Sequence, residues 1–140
     1  KIFKSYSKSH KFMGPSGSGQ LTKMVNQICI AGLIQALAEG IHFSRKAGLK
    51  TADVMGVITK GAAQSWQMEN RWETMLNDEY DFGFAVDLMR KDLDIVLKQA
   101  KKMDTELEIT DLVNSFYKEI QKLGGGRWDT SSLLKRIQEK

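Results

Sequence analysis

Three polar side chains stand near the start of a segment that is otherwise strongly apolar. Lys23, Asn26 and Gln27 are spaced i, i+3 and i+4, so a helix puts them on one face. Just upstream, Gly14-Pro15-Ser16-Gly17-Ser18-Gly19 breaks the chain and holds its single proline. Glycines there let the backbone approach a ligand closely, and the first amides of the following helix point outward with partial positive charge. A carboxylate is accommodated at such a place, with an amine and two amides one turn further on. The ordinary alternatives are a lysine that snorkels from a helix end and a glycine hinge between domains. The glycine order, GxxGxG, is not the dinucleotide fingerprint, and no strand–turn–helix context surrounds it.

The elements that would position these groups read as helices. Residues 20–47 contain no breaker except Gly32 and Gly40 and end at Gly48, a natural place for the residue after a helix C-cap. Such a helix is roughly 40 Å long at 1.5 Å rise per residue. Its middle, Met24 to Ala38, is apolar nearly all round, which implies burial on several sides or cover by another subunit. Thr51-Ala52-Asp53 is expected to cap a short helix over 52–60, ended by Gly61. A third helix is expected over 62–77 with Trp66 and Trp72. A fourth spans 85–102, with Leu88, Ile95 and Ala100 inward, after the turn Asp81-Phe82-Gly83-Phe84. A fifth runs from Thr110 to about Leu123 and stops at Gly124-Gly125-Gly126. A sixth, capped by Asp129-Thr130-Ser131, carries Leu133, Leu134 and Ile137. No run alternates with period two long enough to build a sheet, so the fold class is all-α with one long central helix.

Composition narrows the function. The formal charge is +4, but Lys1, Lys4, Lys8 and Lys11 supply all of it, so the remaining 17 basic and 17 acidic residues balance. A neutral domain behind a short basic leader has no stripe that would track nucleic acid. Cys29 is the single cysteine, so no internal disulfide forms, as in a reducing, cytoplasmic compartment. Its neighbours Ile28 and Ile30 predict a buried, inert thiol. The longest uninterrupted apolar run, Ile28 to Ile34, falls far short of the ~20 residues that span a bilayer, so no membrane role is expected. His10 and His42 have no partner at ligand spacing, so no metal site is expected. Ser65 lacks a glycine elbow and a histidine partner. The chain starts at Lys1 without an initiator methionine and reads as a piece of something longer. Residues 1–13 form the leader, and 14–140 the helical domain.

The segment Gly17-Ser18-Gly19-Gln20-Leu21-Thr22-Lys23-Met24-Val25-Asn26-Gln27 resembles the catalytic segment of the β-hydroxyacid dehydrogenase family, GxGxxxK followed by an Asn/Gln pair. The likeness continues through Ala38-Glu39-Gly40, Lys46-Ala47-Gly48-Leu49, the "F…KDL" stretch from Phe82 to Leu93, and Asp129-Thr130-Ser131. It covers nearly the whole chain from about Met13.

The resemblance implies a helical domain of the 6-phosphogluconate dehydrogenase C-terminal-like type, cooperating with a preceding Rossmann domain. The end of that domain would be residues 1–13, with Phe12-Met13 in its final strand. It implies NAD or NADP as cofactor, a small hydroxyacid or semialdehyde as substrate, and a homodimer or higher homo-oligomer. By the same resemblance Lys23 is the general acid/base, and Gly17, Ser18, Gly19, Asn26 and Gln27 bind substrate. Lys91 and Phe84 meet the cofactor, and Phe84 and Trp66 are candidates to wall the pocket. An ordinary lysine titrates near ~10.4, and apolar walls and a neighbouring cation are what bring such amines toward neutrality. Many members carry Asn four residues after the lysine, where this chain has Gln27, which leaves open which amide meets substrate. The Asn-Gln pair also departs from the His-Asn of 6-phosphogluconate dehydrogenases and argues against a sugar phosphate. Spacing alone would read Lys91 as a solvated lysine paired with Asp87 or Asp92. The reading of a different class is a helical dimerisation module without chemistry.

Overall fold

A computed structural model describes Ser5 and residues 7–139. Lys1, Ile2, Phe3, Lys4 and Tyr6, which belong to the expected leader, lie outside the described residues, as does Lys140. Residues 9–14 have no regular secondary structure, and Phe12 is 85% exposed. Helix α1 runs Ser18–Lys46, α2 Thr51–Ile58, α3 Trp66–Leu76, α4 Val86–Lys102, α5 Glu108–Lys122 and α6 Leu133–Gln138. No strand is present among the described residues; one isolated antiparallel bridge joins Ala85 to Asp129. The all-α expectation holds, with the long helix within two residues of its expected bounds.

The stops work as their residues require. At the end of α1, Gly48 adopts φ +71, Leu49 N–H donates to the Ser44 carbonyl and Gly48 N–H to that of Arg45. That pair of bonds satisfies carbonyls the helix leaves open, and only glycine takes the conformation cheaply. Helix α5 starts two residues early, at Glu108, and two other starts differ for reasons the contacts show. Helix α3 begins at Trp66 because the Ser65 hydroxyl accepts from Met68 N–H, so the stretch after Gly61 is a turn. Thr51 does not cap α2; it is the first helical residue, buried, with its hydroxyl 3.1 Å from that of Ser44 on α1. A hydroxyl turned toward a neighbouring helix is not available to its own helix start.

Helix α1 is the axis, packed against all five other helices. Its buried stripe, Gln27, Ala31, Ile34, Ala38 and Ile41, repeats at alternating steps of four and three, one face of a 3.6-residue helix. Against it lie Met75 of α3, Met89 and Leu93 of α4, Tyr117 and Ile120 of α5, and Leu133 and Leu134 of α6. Each such side chain stabilises the fold by roughly 1.5–3 kcal/mol, offset by the entropy of ordering it.

The opposite face of α1 is open, so of the two expected alternatives burial on several sides does not hold within this chain, and cover by another subunit is left. Val25 is 60% and Phe43 72% exposed, and Leu33 is exposed between them. Cys29 lies on this face, exposed rather than buried, because the inward phase belongs to Gln27, Ala31 and Ile34. By length and composition alone α1 could cross a membrane, although its longest unbroken apolar run is short. Its inner stripe instead serves as the common wall for the other helices.

Helix α4 also turns a different face inward than expected. Leu88 and Ile95 are 42% and 46% exposed, while Val86, Met89, Leu93, Val96 and Ala100 are buried. Ala100 is inward as anticipated. The two phases differ by one residue, and the inward one carries Asp92 in its middle.

Tyr117 is fully buried, and its hydroxyl donates to the Thr130 carbonyl at 3.2 Å. Burial first, then the charge of Asp129, pushes its phenol far up, so the hydroxyl stays a neutral donor. Replacing Tyr117 with Phe leaves that carbonyl without its donor and should cost about 1–3 kcal/mol. Urea unfolding measures it: the midpoint should fall with unchanged slope, and an unmoved midpoint contradicts the assignment.

Candidate active site

The expected polar residues converge on a carboxylate, Asp92, that spacing alone offers only as a surface partner of Lys91. Asp92, 6% exposed, projects from the inner face of α4 toward the first turns of α1. Lys23 Nζ donates to its Oδ2 at 2.6 Å, and Gln27 Nε2 donates to the same oxygen at 3.1 Å. Lys91 Nζ lies 3.6 Å from Oδ1. A carboxylate taken out of water is tolerable only with such compensation, and two flanking ammonium groups leave the cluster with one excess positive charge. Lys23 and Lys91 thus share one anion, although they are far apart in sequence.

The two amides divide their work. Gln27 is buried, reaches Asp92, and has the Met89 sulfur as a second acceptor at 3.7 Å. Asn26 is exposed and donates to Gln27 Oε1 at 2.9 Å. A chain of donors therefore runs Asn26 to Gln27 to Asp92, with Lys23 entering from the other side. The Lys23 side chain is 55% exposed: one flank faces the carboxylate and the other the open. The apolar wall expected beside Lys23 is thus partly replaced by an anion.

Upstream, the bend behaves as its glycines suggest. Gly17 takes φ +95 at the N-cap of α1, no side chain caps the helix, and the space in front of Gly17 and Gly19 is open. First-turn amides without a capping side chain attract anions. Ser18 is half-buried at the first helical position, and Lys23 follows one turn later.

A cavity of about 310 Å³ adjoins this cluster, with Lys23, Gln27 and Met89 on one side and Trp66, Arg71 and Phe84 on the other. Phe84 and Trp66, anticipated as pocket walls, both line it. Its far wall is built by a second buried carboxylate. Asp129, 1% exposed, accepts from Arg71 Nε at 3.2 Å, Phe84 N–H at 2.9 Å, Ser131 N–H at 3.1 Å and the Ser131 hydroxyl at 2.6 Å. The chain before α4 is laced to the chain before α6 by Thr130 N–H to the Phe84 carbonyl and Val86 N–H to the Trp128 carbonyl. A larger depression of about 580 Å³ lies over the α4–α5 turn, among Asp104, Glu106, Glu108 and Asp111. It shares no residue with the Lys23 cluster, and its acidic rim is unsuited to an anion.

Lys91 stands on the outer flank of α4, 62% exposed, between the exposed Leu88 and Ile95. Asp92 is the site residue that spacing alone does not single out. Its signal was present: an acid at the centre of the stripe Val86, Met89, Leu93, Val96, Ala100.

Comparison with known proteins identifies the family of this helical domain. Residues 17–137 match the family described as "NAD-binding of NADP-dependent 3-hydroxyisobutyrate dehydrogenase". The chain is 56% identical, over 99% of its length, to an uncharacterized oxidoreductase of Shewanella frigidimarina, of which it covers 47%. It is 30% identical to the 2-hydroxy-3-oxopropionate reductase of Escherichia coli, over 98% of this chain and 47% of that one. The crystal structure of a 3-hydroxyisobutyrate dehydrogenase from Salmonella typhimurium superposes with a TM-score of 0.77 at 30% identity, over 85% of this chain and 42% of that one. The chain thus spans about half the length of the curated relatives it matches.

Gly83 tests the far wall. It takes φ +71, and a Cβ there would fall 2.1 Å from Asp129 Oδ2. Gly83→Ala should therefore cost more than about 2 kcal/mol by combining strain with displacement of a buried carboxylate. Thermal unfolding that matches the unsubstituted protein would contradict this wall.

Proposed function

The chain belongs to the 3-hydroxyisobutyrate dehydrogenase family of oxidoreductases, and on that footing we propose that it is the substrate-binding and catalytic half of an enzyme interconverting a small β-hydroxyacid and its semialdehyde. The observation that supports this most is the convergence of Lys23, Gln27 and Lys91 on Asp92 beside a cavity.

In this reading Lys23 Nζ gives a proton to the aldehyde oxygen during reduction and takes the hydroxyl proton during oxidation. Its positive charge steadies the oxyanion as it develops. Asp92 holds the ammonium at a fixed point, and the Gln27 amide holds Asp92. Gln27 lines the cavity and is the amide that meets substrate, while Asn26 braces it from outside. The open amides of Gly17 and Gly19, with the Ser18 side chain, receive the substrate carboxylate; the Ser18 amide itself is taken by the Pro15 carbonyl at 3.1 Å.

The cofactor is NAD or NADP, and the residues present suit one. Lys91 offers an exposed ammonium between the exposed apolar side chains of Leu88 and Ile95, and Phe84 presents a ring at the cavity. An amphipathic platform with one cation fits an aromatic, anionic dinucleotide. When bound, the cofactor supplies or accepts the hydride. Most of its contacts come from a Rossmann domain preceding this helical domain, whose boundary with the leader lies near residue 13.

The open face of α1, with Val25, Leu33 and Phe43, supports association into a homodimer or higher oligomer. The same face is what favours the second reading, a helical association module without chemistry. The enzyme reading places the protein in the cytoplasm, where a lone exposed thiol stays reduced.

Lys23→Ala in the chain joined to its amino-terminal half separates the two. Turnover of a small β-hydroxyacid should fall by about 10²–10⁴-fold, with the oligomeric state unchanged. Undiminished turnover removes Lys23 from the reaction. A parent inactive on every small β-hydroxyacid leaves the association module. The 140-residue chain alone should show no dehydrogenase activity with NADH or NADPH, and measurable turnover would contradict the division of labour between the halves.

A further inference from the structure

We propose that the far end of the Lys23 cavity is a second anion subsite built on Arg71, so that the substrate is a hydroxyacid bearing a second carboxylate. The inference rests on the dehydrogenase reading above and adds the class of compound the cavity selects.

Arg71 projects from α3, and its side chain is 16% exposed. Its guanidinium is held on three sides. Nε donates to Asp129, Nη1 donates to the Asn70 carbonyl at 3.0 Å, and the rings of Trp66 and Phe82 lie 4.8 Å and 5.1 Å from its central carbon. Arginine carries five donors in a rigid fork, and with Nε and Nη1 engaged the Nη2 group still has protons to give. A guanidinium fixed by a buried acid and two rings loses little freedom when it binds a carboxylate. Asp129 accepts three hydrogen bonds besides the one from Arg71 Nε, so it does not need all of Arg71.

A second observation points the same way. Gln67 lines the same cavity, and its Oε1 is buried without a hydrogen-bond partner. An orphaned buried polar atom is costly unless a ligand satisfies it. A half-turn of that amide presents Nε2 instead, a second donor beside Arg71 for the same carboxylate.

The volume is consistent with this. About 310 Å³ admits roughly ten water-sized groups. A three-carbon hydroxyacid has six heavy atoms and would leave the Arg71 end vacant. A five- or six-carbon hydroxydiacid, with roughly ten or eleven heavy atoms, matches that volume better.

The test uses two compounds with the same reacting end, HOCH2–CH–COO⁻. In 3-hydroxyisobutyrate that carbon bears a methyl group; in 2-(hydroxymethyl)glutarate it bears a carboxyethyl group. For this chain joined to its amino-terminal half, kcat/KM should be at least tenfold higher for the diacid. Arg71→Gln should lower the diacid-to-monoacid ratio at least tenfold, chiefly through KM. Gln67→Leu, which leaves the Asp129 network intact, should lower it severalfold and serves if the arginine variant does not fold. Equal or greater efficiency with the monoacid, or ratios unmoved in both variants, overturns the subsite while leaving the dehydrogenase reading intact. Turnover of neither compound, nor of any other small hydroxyacid, defeats the dehydrogenase reading and the subsite with it.

Discussion

Asp92 is a carboxylate that the fold has removed from water and that only its neighbours make tolerable. The ion pair with Lys23 and the Gln27 hydrogen bond run between α4 and α1, and both end on one oxygen. This contact fixes the rotation of α4 about its axis. Turning α4 by one residue would bury Leu88 and Ile95 and leave the acid in solvent, and the site would no longer exist. The stripe of Met89, Leu93 and Val96 makes the same demand from the apolar side, so packing and charge select one arrangement together.

A second buried acid does comparable work at the other end of the cavity. Asp129 gathers an arginine from α3, a backbone amide from the chain before α4, and the serine that opens the last helical segment. Segments distant in sequence are thereby held at fixed spacing around an open volume. Hydrophobic burial draws the helices together without specifying their angular setting; the two carboxylates supply that directional constraint. The apolar outer face of α1 takes no part in the cavity and remains available for association.

Much of this was readable in the residues. Breakers mark the helices well: Gly48 and the run Gly124-Gly125-Gly126 end α1 and α5 within a residue or two of where they stand in the sequence. The unusual polarity of Lys23, Asn26 and Gln27 on a greasy helix was also visible. Less legible was which flank of each helix turns inward. On α4, Leu88 and Ile95 form as good an apolar pair as Met89 and Val96, and periodicity alone does not choose between phases one residue apart. That error set Asp92 at the surface. On α1, apolar residues on all sides concealed that only one face meets the other helices, so Cys29 was assigned to the interior. Thr51 could cap its own helix or bond to Ser44, and only tertiary contact decides.

Proton transfer by the proposed route requires Asp92 to hold the Lys23 ammonium at a fixed point. Its most direct test is the turnover of an Asp92→Asn variant of this chain joined to its amino-terminal half, with a small β-hydroxyacid at saturation. The substitution keeps the shape and removes the charge that holds the ammonium. A fall in kcat of about 10²-fold or more, with the fold retained by circular dichroism, is the result expected. A rate within a few-fold of the unsubstituted enzyme would show that the carboxylate is structural and that Lys23 is positioned by something else.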